Sequence, residues 1–84
     1  MKFVFSKQAL AQMELRTISK NTVEEILSHP QQIKEEEGAK VYQSVVEKGR
    51  YLIRIFVNDK KRPNVIITVY KTSKISKYYE GKIR

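Results

Sequence analysis

The hydrophobic period changes once, near Pro30, and divides the chain into a helical third and a stranded remainder. Before Pro30, Ala9, Leu10, Met13 and Ile18 recur at helix-like spacing, with Ser6 placed to cap the first turn. "TISKNTVEEILSHP" predicts a second helix with Val23, Ile26 and Leu27 on its buried face. Ser19 or Asn21 can cap it, the latter with Glu24 in capping-box register. Pro30 ends it, because the residue before a proline avoids the helical region. Ahead of both helices "MKFVF" alternates loosely, as a short strand or an extended lead-in.

After Pro30 the alternation has period two. "QQIKEEE" reads as a strand ended by Gly38, and "KVYQSVVEK" turns tightly through Lys48 and Gly49 into "RYLIRIFV". The loop "NDKKRPN" leads to "VIITVYKT", the most β-branched run. The expected fold is α+β in a single domain, residues 1–84. Two N-terminal helices (about 6–29) pack on one face of a four-stranded antiparallel sheet (about 31–72), followed by a basic tail, 73–84, as a turn or an arm. Alternation sends Ile53, Ile55, Val57, Val65, Ile67 and Val69 toward the helices. Leu52, Arg54, Phe56, Ile66, Thr68, Tyr70 and Thr72 then form a second, partly exposed face.

Size and composition narrow the function. Eighty-four residues bury a thin core. No apolar run approaches the ~18 residues of a membrane span, and "MKFVF" is too short for a secretory signal, so a cytoplasmic protein is expected. There is no cysteine, hence neither disulfide nor thiolate chemistry. One histidine and one aspartate leave no transition-metal ligand set, and neither a metal nor another cofactor is expected. Glu35, Glu36 and Glu37 point to alternate sides of a strand and read as a solvated strand end. His29, at the end of the second helix, is favoured there simply by the helix C-terminus.

Charge carries more information. The chain is formally +8. Residues 1–47 hold six Lys/Arg and seven Asp/Glu, whereas residues 48–84 hold eleven Lys/Arg and only Asp59 and Glu80. Such segregation favours a polyanionic partner, nucleic acid or an acidic protein. Arg50, Arg54, Lys60, Lys61, Arg62, Lys71, Lys74 and Lys77 accompany Tyr51, Tyr70, Tyr78 and Tyr79 in this half. Cations that hold phosphates and rings that stack on bases suit single-stranded RNA.

"FSKQALAQMELRTISKNTVEEILSHP", "YLIRIFV" and "VIITVYKTSKISKYY" together resemble the bacterial domain-of-unknown-function family 4258, itself similar to the BrnT-like and RelE/ParE-like toxins of toxin–antitoxin systems. The resemblance implies metal-independent RNA cleavage or, failing that, binding of RNA or of the ribosome, with an acidic antitoxin as protein partner. In such cleavage a base takes the 2′-OH proton, that oxygen attacks the adjacent phosphate, and cations stabilise the charge. By position, the family's first-helix arginine falls on Arg16, its third-strand arginine on Arg54, and its fourth-strand hydroxyl on Thr68 or Tyr70, followed by Lys74. Arg54 and Lys74 would hold the phosphate while Tyr70 or Tyr78 aids proton transfer. The family pattern usually reads Phe-Ser-Lys-His at the first helix, and Gln8 stands where that histidine would be, which favours a non-catalytic module that binds RNA or an acidic protein.

Overall fold

A computed structural model describes residues 3–81. Its elements are β1 (Phe3–Phe5), α1 (Lys7–Leu15), α2 (Lys20–Ser28), β2 (Gln32–Glu36), β3 (Ala39–Val46), β4 (Tyr51–Asn58), β5 (Asn64–Thr72) and α3 (Ile75–Tyr78). The Ser6 hydroxyl accepts from the Ala9 amide at 3.0 Å, capping α1, and donates to the Ile67 carbonyl at 2.8 Å, tying that cap to β5. At the far end Thr17 turns left-handed, φ +56°. The Thr17 amide then reaches the Glu14 carbonyl at 3.2 Å and the Ile18 amide reaches that of Met13 at 2.8 Å. This paired closure folds Ile18 back into the core beside Met13. Ser19, not Asn21, caps α2, its hydroxyl accepting from the Thr22 amide at 3.1 Å.

The expected four-stranded antiparallel sheet is overturned. The sheet has five strands in the order β1-β5-β4-β3-β2, and β1 runs parallel to β5 with Phe3 opposite Asn64 and Phe5 opposite Ile66. "FVF" is too short to display a period, and a parallel neighbour some sixty residues away leaves no local turn signal. The other three pairs are antiparallel. Part of the basic tail forms α3, so the sheet carries three helices rather than two.

The sorting of β5 is also corrected. Val57 pairs with Ile66 while Phe56 pairs with Thr68, so Ile67 is an extra residue on β5. This bulge breaks the alternation. Ile66 and Val69, three apart, are buried in the helix-side core with Ile53, Ile55 and Val57, while Val65 and Ile67 are only half-buried. Ala9, Met13, Val23, Ile26 and Leu27 pack on them from the helices. The second face is not open either. Val41 and Leu52 there are fully buried, and Ile75, from the chain that folds back across this face after β5, is nearly so.

Candidate functional site

Strand register builds the site. Gln32 stands opposite Gln43, Gln43 opposite Arg54, and Arg54 opposite Tyr70, so four strands contribute one polar row to the face away from α1 and α2. Arg54 is 1% exposed. Its Nε donates to Gln43 Oε1 at 2.9 Å, Nη1 donates to the Tyr70 hydroxyl at 2.7 Å, and Nη2 is ion-paired with Glu36. The rings of Tyr78, Phe56 and Tyr70 surround the guanidinium at 4.3, 5.3 and 5.7 Å. Every nitrogen of the head has a partner, which is what burial of a cation requires. The structure thus places Arg54 inside an ion pair and an aromatic box, not at an open face ready for a phosphate.

The residues after β5 form a strap across this row. Lys34 Nζ and Gln43 Nε2 both donate to the Tyr78 carbonyl, at 3.0 and 3.1 Å. Gln32 Nε2 donates to the Glu80 carbonyl while the Glu80 amide donates to Gln32 Oε1 at 3.2 Å. The Tyr70 and Tyr78 rings meet edge to face at 6.3 Å. Burial pushes the Tyr70 hydroxyl above its usual range against the pull of Arg54. Burial also pushes Tyr78 up, but its hydrogen bond with Tyr70 and the charges of Lys77 and Arg54 outweigh it, leaving this phenol below its usual range.

Of the other expected site residues only Thr68 shares the Arg54 face of the sheet among the strand positions. Arg16 is the C-cap of α1, on the helix side of the sheet, where Nη1 donates to the Lys71 carbonyl at 3.4 Å. Lys71 is ion-paired with Glu47 and lies 4.6 Å from the Tyr51 ring. Gln8 is exposed in the first turn of α1, also away from Arg54. Thr68 is half-buried on the Arg54 face, opposite Phe56. Lys74 precedes α3 and is exposed, as is Lys77, and half-buried Tyr79 ends that helix. Arg50 sits on the β3–β4 turn, and Lys60, Lys61 and Arg62 on the β4–β5 loop, where Arg62 donates to the Asp59 carbonyl at 2.6 Å. Glu36 is half-buried on the Arg54 side, while Glu35 and Glu37 are exposed. His29 is the exposed C-cap of α2. Among the described residues no three His, Asp or Glu converge in a way that could hold a metal, and no helix is long and apolar enough to cross a membrane.

Gln32, Lys34 and Gln43 were not singled out from the sequence, and Glu36, read there as part of a solvated strand end, is instead the partner of Arg54. Gln32, Lys34 and Glu36 alternate along one strand, which sends them to one face; Gln43 joins them only through the pairing of β3 with β2.

The architecture is an α+β domain built on one mixed sheet, with an arginine-centred polar row beneath a C-terminal strap. The chain belongs to the family described as Domain of unknown function (DUF4258), whose profile matches residues 5–71 and so includes Arg16, Arg54, Thr68 and Tyr70 but stops before Lys74 and the strap. No curated protein and no solved structure matches the chain.

Proposed function

We propose that the protein binds RNA through cations carried on its turns and on the short helix α3. The observation that carries this reading is that both acids of the basic half, Asp59 and Glu80, are already paired, as are Glu36 and Glu47. Glu36 pairs with Arg54 and Lys34, Glu47 with Lys71, Asp59 with Lys40, and Glu80 with Lys34. Among the described residues Lys48, Arg50, Lys60, Lys61, Lys74 and Lys77 are exposed and have no carboxylate partner. Unpaired cations on turns and on the short helix α3 attract a polyanion with little rearrangement. Titrating labelled single-stranded RNA at several salt concentrations should show affinity falling steeply as salt rises, by about 0.7 in log K per log salt for each phosphate engaged. No binding at low salt would remove this reading.

A second reading, metal-independent RNA cleavage of the toxin type, is favoured by the Tyr78 hydroxyl. It ionises more readily than an ordinary phenol and lies beside Tyr70, Arg54 and Lys77. As the base it would take the 2′-OH proton. The 2′-oxygen would bond to the adjacent phosphorus, the P–O5′ bond would break, and the 5′-oxygen would take a proton from water, leaving a cyclic 2′,3′-phosphate and a free 5′-OH. Cleavage in the presence of a chelator, lost in Tyr78→Phe with RNA binding retained, is the expected result. Intact RNA after prolonged incubation with the unaltered protein leaves binding alone.

A further inference from the structure

The strap is gripped mainly by its backbone. Lys34 and Gln43 take the Tyr78 carbonyl, and Gln32 engages Glu80 by both amide and carbonyl. Three of the strap's side chains are also held: Ile75 is buried, the Tyr78 ring rests on the Arg54 guanidinium, and the Glu80 carboxylate lies 3.6 Å from Lys34 Nζ. Tyr79, between them, is extended at φ −88°, ψ 128°. Side-chain amides and a lysine thus pair with an extended backbone much as a sheet edge would, while the cation of Arg54 takes an aromatic ring and Lys34 a carboxylate two residues on.

The resident segment is lightly held. α3 is four residues long, starts at Lys74 without a side-chain cap, and buries only Ile75. A helix that short has almost no stability of its own. The Glu80 side chain is 75% exposed.

We infer that the face formed by Gln32, Lys34, Gln43 and Arg54 is a peptide-binding site for an extended aromatic-x-acidic segment of a partner protein, with the chain's own Tyr78-Tyr79-Glu80 as its displaceable occupant. The cationic surface of this half steers an acidic partner toward it. In the isolated protein the tethered tail competes at an effective concentration of about millimolar, so a partner peptide meets a site already filled.

Glu80→Pro in the full chain removes both the amide that reaches Gln32 and the carboxylate that faces Lys34. A labelled peptide with the sequence of residues 77–81 should bind this variant at least tenfold more tightly than the unaltered protein. Adding Gln32→Leu should cost at least tenfold, and a peptide with the tyrosines and glutamate replaced by serine should not bind. A Glu80→Pro protein with native circular dichroism that ignores the peptide overturns the inference, as does binding indifferent to Gln32→Leu. Should Glu80→Pro fail to fold, hydrogen exchange in the unaltered chain decides. Excess peptide should speed exchange of the Glu80 amide, and an unchanged rate at millimolar peptide refutes the site.

Discussion

Arg54 stands where strand alternation puts it, on the face turned from α1 and α2, but its environment depends on residues far along the chain. Glu36 is eighteen residues before it and Tyr78 twenty-four after it, and neither contact leaves a local pattern in sequence. An uncompensated cation would make its removal harmless or stabilising; the observed partners reverse that expectation. Arg54→Gln removes the ion pair and the bond to Tyr70 and leaves the buried Gln43 amide without its donor. Breaking a buried pair costs roughly 3–5 kcal/mol. Glu36, about a third exposed, can return to water, which places the loss near the lower bound. Chemical denaturation should show a loss of about 3 kcal/mol, much reduced when Glu36→Gln is already present. Undiminished stability in Arg54→Gln would mean that the ion pair contributes nothing, and the arginine would again be available to a phosphate.

At the scale of elements, helix spacing, caps and the hairpin turns were readable because each is written within a few residues. The bulge was not. Ile66 and Ile67 are the same residue type, and only pairing with β4 decides which one enters the core. Ile66→Ala, at a fully buried site, should cost about 2–5 kcal/mol and Ile67→Ala distinctly less. Equal losses in denaturation would place the bulge elsewhere. A second element-level feature is Thr17, a β-branched residue held left-handed at the end of α1. That conformation costs an L-residue about 1–2 kcal/mol, and glycine adopts it freely. Glycine's greater freedom in the unfolded chain offsets part of the gain. Thr17→Gly should therefore raise the denaturation midpoint by a few tenths to 1 kcal/mol of stability; a lower midpoint would show that the threonine side chain makes up the strain.

Over the whole molecule, the charge asymmetry visible in the sequence persists but splits between two ends of the sheet. Lys60, Lys61 and Arg62 occupy the β4–β5 loop, whereas Lys48, Arg50 and Lys74 gather at the opposite end. β5 separates them by roughly 25 Å at ~3.3 Å per residue. A short RNA need not touch both ends, so the footprint can be located. Arg62 stays in place for this test because its guanidinium also bonds the Asp59 and Lys61 carbonyls and Asn64, holding the loop. Lys60→Gln with Lys61→Gln should leave thermal stability unchanged, since both side chains are exposed. If both lysines contact phosphates, the salt slope of RNA binding should fall by about 1.4, at ~0.7 per lost contact on a single strand. Arg50→Gln with Lys74→Gln, measured the same way, should change the slope less. A reversed order moves the footprint to the end of the sheet where the strap begins, and equal slopes in both variants would show a diffuse electrostatic cloud with no defined footprint.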